Sequence, residues 1–153
     1  MTQEDKELLL KDLSCRLEYF PMVAYYVTNS GDKSYKGLLE GINLRGTHNE
    51  LKFLLMNFDV LIEDVGDDNR CHMAKLEDVR PYLRPMSSMT EEEEKKYLTF
   101  FTTDGRGFPT DDVDKHKIDE YLDWLNSHYF DYRGLIEKGL AVELPEEDNP
   151  YEN

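Results

Sequence analysis

The residue types that could do chemistry are concentrated in one segment near the end of the chain, Ile118–Ala141. It holds Trp124, the only tryptophan, together with His128, Asp131 and Arg133. A histidine near an aspartate could transfer protons, and an arginine could bind an anion. The spacing of these residues, however, matches no catalytic or metal-binding pattern. The segment therefore predicts a structural or binding role and names no reaction.

Helical spacing explains part of this segment as packing. The apolar stripe that predicts a helix with a buried inner face consists of Ile118, Tyr121, Leu122, Leu125 and Tyr129. The simpler interpretation is a purely structural helix–turn–helix that packs against the rest of the domain. The more specific interpretation adds a partly exposed aromatic patch that binds a partner, because rings at the edge of such a stripe often contact partner proteins. The candidate partner-binding residues are Trp124, Phe130, Tyr132 and Arg133, and Arg133 could form a local ion pair with Asp131.

Metal and cofactor sites are not predicted. Cys71 and His72 are adjacent, so their side chains would point to opposite faces of a strand. The other candidate zinc ligands lack paired spacing; they are Cys15, His48, His116 and His128. Two acidic runs depart from the calcium-loop pattern and are interpreted as a turn and as the first turn of a helix. They are Asp64–Asn69 and Asp111–Asp114.

Catalysis finds no support in the sequence either. There is no nucleophile-elbow motif, and Gly105–Gly107 is too short to bind phosphate as a glycine-rich loop does. Neither cysteine has neighbours in sequence that would favour a thiolate. A non-enzyme is therefore expected, with a catalytic site invisible in the sequence as an alternative.

Acidity is the strongest feature of the composition. The net charge is −15, and residues 87–153 carry 18 acidic and 7 basic side chains. Such a surface repels phosphate backbones and anionic lipid, so direct binding of nucleic acid or membrane is not expected. A solvated surface is the default interpretation. The alternative is a DNA mimic that inhibits a nucleic-acid-binding protein, which would need carboxylates in rows, whereas the densest acids lie at Glu91–Glu94 and in the tail.

The fold must position these residues. Hydrophobic periodicity and turn signals assign the chain to the α+β class. The expected elements are an N-terminal helix, a small antiparallel sheet or SH3-like half-barrel, and a C-terminal helical group. A helix is predicted over Thr2–Leu17, with buried positions at Leu9 and Leu13. β-Branched and aromatic runs between polar turns predict four or five strands in the region of about residues 20–80. Leu76–Val79 is predicted as a single helical turn.

The second half is predicted to be helical over about residues 88–142. Pro81–Pro85 is expected to be a rigid connector, and Thr90 with Glu93 to form a capping box. Thr102–Thr110 is predicted as a loop and about Asp111–His128 as a helix. A short final helix would end at Lys138, followed by Gly139 in the left-handed conformation. Residues 1–142 would form one domain, and the acidic residues 143–153 a flexible tail.

Cysteine content and hydropathy indicate the compartment. Two widely separated cysteines suggest reduced thiols, and no stretch is apolar enough to cross a bilayer. The first residues mix acids and bases, unlike a signal peptide. A cytoplasmic location is expected.

Three stretches resemble a family of small uncharacterised acidic proteins of Bacteroides-type bacteria and their mobile elements. They are Asp5–Leu13, Val79–Glu93, and Asp123–Asn126 with Phe130–Ala141, about a quarter of the chain. The resemblance implies no mechanism, because no activity is known for that family. The sequence thus predicts a non-catalytic module that binds another protein through its C-terminal helical face, without a cofactor, and leaves the partner and the oligomeric state open.

Overall fold

The computed structural model describes residues 1–19, 22–27, 33–34, 37–44, 58–64, 71–145, 149 and 151, with some strands described by their backbone alone. Their elements confirm the α+β class. The helices are α1 (Gln3–Arg16), α2 (Glu91–Leu98) and α3 (Ile118–Ser127). The strands are β1 (Met22–Val27), β2 (Lys33–Ser34), β3 (Gly37–Leu44), β4 (Phe58–Asp64), β5 (Cys71–Lys75), β6 (Arg80–Leu83), β7 (Phe101–Thr103), β8 (Pro109–Val113) and β9 (Val142–Glu143).

Helix α1 forms where the sequence predicts it. Thr2 is its N-cap: the hydroxyl accepts from the amide of Asp5 at 3.1 Å, and the Asp5 carboxylate accepts from the amide of Thr2 at 3.0 Å. Leu9 and Leu13 are fully buried. They pack in a core with Leu39 of β3, Ile62 of β4 and the segment that follows β5.

The main sheet has the strand order β5-β4-β3-β1-β6-β9, with β2 added to β1. All described pairings are antiparallel except β6 with β9. Strand β1 also contacts β5, which lies three places away along the sheet. A flat sheet would separate such strands by about 14 Å, so the sheet is curled, as the half-barrel prediction requires.

Strand β6 corrects the prediction that Pro81–Pro85 is only a connector. Its residues pair with β1 on one side and β9 on the other. Pro81 stands opposite Val23, next to a register shift between Val23 and Tyr25. Proline donates no ladder hydrogen bond and is tolerated at such irregularities, which explains how it enters the sheet. The single turn at Leu76–Asp78, just before β6, is confirmed as a 3₁₀ helix.

The β7–β8 hairpin replaces the predicted loop and the predicted start of the next helix. Asp104 organises its turn: one carboxylate oxygen accepts from the amides of Arg106 at 2.8 Å and Phe108 at 2.9 Å. Gly107 supplies the required positive φ of 87°. Asp111 and Asp112 therefore lie in β8 and not in a first helical turn, and Asp114 caps a 3₁₀ turn before α3. Pairing between β7 and β8 therefore determined the structure of this segment, and the acidic residues did not start a helix there.

Helix α2 begins with the predicted capping box of Thr90 and Glu93. Helix α3 ends at Ser127, before the last position of its predicted stripe. The amide of Phe130 donates to the carbonyl of Leu125, and the amide of Tyr129 to that of Asn126. This is the Schellman arrangement, and it places Tyr129 at a φ of 58°, a position that usually takes glycine.

The predicted final helix is absent, and residues 132–139 form consecutive turns. Gly134 has a φ of 70°, which interrupts helical geometry before it can propagate. Gly139 has the predicted left-handed conformation, with a φ of 67°. Its amide donates to the carbonyl of Ile136 while the amide of Leu140 donates to that of Leu135, so the Schellman stop forms without a regular helix before it.

The flexible-tail prediction does not extend to every residue after Val142. Glu143 belongs to β9, and the amide of Leu144 donates to the carbonyl of Leu83 at 2.8 Å. The ring of Tyr151 stacks on Tyr129 with centroids 3.6 Å apart, and its hydroxyl donates to the carbonyl of Tyr82. Glu143, Leu144 and Tyr151 are therefore in contact with the rest of the domain.

A second apolar cluster lies between β6 and the final turns, and comprises Leu83, Leu135, Leu140 and Ala141. Among the described helices, none has the length and hydropathy needed to cross a bilayer.

Candidate functional site

Rings from α2, β7 and α3 converge in one aromatic cluster. Tyr97 of α2 lies 5.0 Å from Phe101 and 5.9 Å from Tyr121, measured between ring centroids. Phe100 beneath them is almost completely buried. Burial, followed by a hydrogen bond with Tyr97, raises the pKa of Tyr121, so the hydroxyl of Tyr121 stays protonated at neutral pH.

Trp124 lies inside this cluster and not at its free edge. Its ring is 5.8 Å from Phe100, 5.3 Å from Phe130 and 4.8 Å from His128. The residue is half-buried. A Trp124→Ala protein would lose this packing, so that substitution alone cannot separate a binding role from a structural one.

Phe130 is fully buried, so in this conformation it has no surface to offer a partner. The guanidinium of Arg84 covers its ring at 4.4 Å. The same guanidinium forms two hydrogen bonds with Glu93, at 2.7 and 2.9 Å. Arg84 and the Thr90 amide hold the pKa of Glu93 at about 2. Glu93 thus points inward, which interrupts the row of carboxylates that a DNA mimic would use at Glu91–Glu94.

Tyr132 and Arg133 belong to a polar network that joins α3 to α1. The hydroxyl of Tyr132 donates to Asn126 at 3.0 Å and accepts from Arg133 at 2.7 Å. Arg133 approaches Asp12 at 3.3 Å instead of forming the predicted ion pair with Asp131. Both residues are only partly exposed. They are therefore positioned to hold the two helices together.

The carboxylate of Asp131 is bound by backbone amides. Its two carboxylate oxygens accept from the amides of Leu135 and Ile136, each at 2.8 Å. The carboxylate satisfies amides at the start of the final turns, as an N-cap does for a helix. This is why Arg133 turns to Asp12.

Asp12 lies at the centre of the network. Arg16 donates to both of its carboxylate oxygens, at 2.8 and 3.0 Å, and also to the carbonyl of Phe130 at 2.8 Å. Asp12 and Arg16 are fully buried. Two guanidinium groups thus share one carboxylate. This cluster was not predicted. Its local signal in the sequence was the four-residue spacing of Asp12 and Arg16 on the buried side of α1.

The candidate metal ligands are not brought together in the part of the chain that the structure describes, where no group of three such side chains occurs. His116 lies in the 3₁₀ turn before α3, and His128 stacks in the aromatic cluster. Cys15 is an exposed free thiol. His48 and residues 65–69 lie outside the described residues, as do the side chains of Cys71 and His72.

Two exposed apolar residues flank the aromatic cluster. Leu98 at the end of α2 is 42% exposed, and Ile118 at the start of α3 is 41% exposed. The ammonium group of Lys117 donates to the carbonyl of Thr99 at 2.6 Å, which holds these two helix ends together. In the sequence, Leu98 directly precedes Thr99 and Ile118 directly follows Lys117. We call the surface formed by Tyr97, Leu98, Ile118, Tyr121 and Trp124 the helical face.

No family model, curated protein or solved structure matches the chain.

Proposed function

We propose that this chain is a small, non-catalytic, cytoplasmic module that binds another protein through its helical face. The observation that carries the proposal is the coincidence of exposed apolar groups with surplus negative charge. Leu98 directly follows the half-buried Tyr97 in α2, and Ile118 begins the helix that carries Tyr121. Both lie within the half of the chain that carries 18 acidic and 7 basic residues. An apolar centre with a charged rim is the usual composition of a protein-binding surface.

The charged residues around the helical face favour one kind of partner. Glu91, Glu92, Asp119, Glu120 and Asp123 are exposed on the two helices of the face. Opposite charge accelerates encounter and excludes partners of like charge, so a partner with a basic surface fits best. A role in a mobile element follows from the sequence resemblance alone and is part of the proposal.

The test compares affinity purification with three tagged proteins from extract of the source organism. They are the natural chain, Leu98→Ser/Ile118→Ser, and Phe108→Ser. Phe108 is 66% exposed at the tip of the β7–β8 hairpin and serves as a matched apolar control. We expect the double variant to lose the partner by tenfold or more while the control retains it, because exposed apolar anchors at the centre of an interface contribute about 2 kcal/mol or more.

Salt separates this function from DNA mimicry. Binding through the helical face should persist when ionic strength rises from about 50 to about 500 mM, because apolar contacts are not screened. A partner that is lost with salt, displaced by DNA and indifferent to the double substitution would show that the protein is a charge mimic instead. Circular dichroism of all three proteins confirms that the substitutions leave the fold intact.

A further inference from the structure

Strand β9 leaves an open edge on the main sheet. It pairs in parallel with β6, and on its other side no described strand is paired with it. In a parallel ladder, alternate residues make the bonds to one neighbour. Because the amide of Leu144 donates to Leu83, the main-chain groups of Glu143 point away from β6. An open edge of this kind can accept an added strand.

Two cavities flank this edge. One, of about 410 Å³, lies between Arg84, Ser88 and Leu144. The other, of about 430 Å³, lies between Met86, Gly134 and Ile136. Pro85 and Glu143 belong to the walls of both cavities, so the cavities are neighbours and both adjoin β9 at Glu143. A strand added at the edge could place successive side chains in them.

Two exposed carboxylates line the cavities without an ion-pair partner among the described residues, while a third, Asp131, is bound by the amides of Leu135 and Ile136. Glu137 and Glu143 are exposed, and neither carboxylate has an ion-pair partner among the described residues. Arg84 lines the first cavity, but Glu93 already neutralises it. The free charge offered to a ligand is therefore that of two glutamates.

We propose that the β9 edge and its two cavities bind an extended, basic peptide segment of another protein by strand addition. The added backbone would pair with the amide and carbonyl of Glu143, and lysine or arginine side chains would meet Glu137 and Glu143. The chain's own residues 146–148 are Glu, Glu and Asp, so this tail does not have the complementary charge. The inference concerns a surface other than the helical face and goes beyond the proposed function.

The experiment uses the full chain and a defined probe, a fluorescein-labelled (Lys-Val)₄ peptide with blocked ends. Fluorescence anisotropy measures its affinity for the natural protein, for Glu137→Gln/Glu143→Gln, and for the control Asp111→Asn/Asp112→Asn, two exposed acids outside both surfaces. Both double variants remove two negative charges, so long-range attraction falls equally. We expect the first to weaken binding roughly three- to tenfold and the control less than twofold, because only the first removes direct ion pairs.

A second probe tests the backbone pairing. The same peptide with alternate amides N-methylated keeps its charge and loses the donors that strand addition needs. It should bind at least tenfold more weakly, and the amide resonances shifted by the unmodified peptide should be those of residues 84–88 and 142–144. Equal weakening by the two double variants, equal binding of the methylated peptide, or shifts centred on Leu98 and Ile118 would each overturn the proposal. The Leu98→Ser/Ile118→Ser protein should bind the peptide normally, so failure at one surface is distinguishable from failure at the other.

Discussion

Substitution of Asp12 by asparagine tests the buried network. Asp12 offsets two guanidinium groups, Arg16 at 2.8 and 3.0 Å and Arg133 at 3.3 Å. Asp12 and Arg16 have no exposed side-chain surface, and 14% of the Arg133 side chain is exposed. The cluster already holds one surplus positive charge, and Nη1 of Arg16 has no hydrogen-bond partner. Asp12→Asn keeps the shape and removes the only negative charge.

The expected loss in free energy of unfolding is about 3–5 kcal/mol, the usual effect of removing one partner from a buried ion pair. For a domain of this size that corresponds to a fall in Tm of roughly 6–20 °C. Urea titrations followed by far-ultraviolet circular dichroism and by Trp124 fluorescence measure it, with unchanged m-values as the check on two-state unfolding.

Two further variants sharpen this prediction. Glu4→Gln, an exposed acid on the same helix, should change stability by less than about 0.5 kcal/mol. Arg16→Met should cost less than Asp12→Asn, because it leaves Asp12 paired with Arg133 and removes the surplus positive charge. A loss below about 1 kcal/mol for Asp12→Asn, or a larger loss for Arg16→Met, would refute the electrostatic account of this cluster.

Two other predictions concern single side chains. The pKa of Glu93 is lowered from 4.5 to about 2 in the folded protein, so its stabilising contribution is complete above about pH 4.5 and is lost as the pH falls towards 2. The difference in free energy of unfolding between the natural protein and Glu93→Gln should therefore shrink between pH 6 and pH 3, and a constant difference would contradict the Arg84 contact. Gly139→Ala should destabilise by about 1 kcal/mol, because alanine is strained at a φ of 67° although no atom crowds the new Cβ. Gly105→Ala, equally uncrowded and without a positive φ, is the matched control and should be close to neutral in the same thermal melts.

The sequence predicted those parts of the fold that depend on neighbours three to five residues apart. The capping box at Thr90 formed as predicted because it needs only one turn of chain, and a second capping box formed at Thr2 for the same reason. Gly139 took the left-handed conformation because glycine alone carries no steric penalty there. Strands β1 and β4 followed from their β-branched and aromatic residues.

Predictions from local sequence patterns were wrong where a residue pairs with another segment of the chain. The acids Asp111 and Asp112 resemble a helix start, yet pairing with Phe101–Thr103 made that segment a strand. Arg133 has Asp131 two residues away, but backbone amides occupy that carboxylate and Asp12 lies on a helix more than one hundred residues earlier. The candidate site changed accordingly: Phe130 is buried, Tyr132 and Arg133 belong to the polar network, and Leu98 and Ile118 are the exposed apolar residues of the helical face.

Sequence by itself determined the class of the fold, the sign of the surface and the N-terminal caps of α1 and α2, because these follow from composition and from contacts within one turn. Only the tertiary structure decided which aromatic rings are buried, how Asp12 is shared by two arginines, and that β9 is the last strand of the sheet that the described residues form. Those features depend on which segments, distant in sequence, pack against each other. The packing is determined by the sum of many long-range contacts, and no short stretch of sequence contains that information.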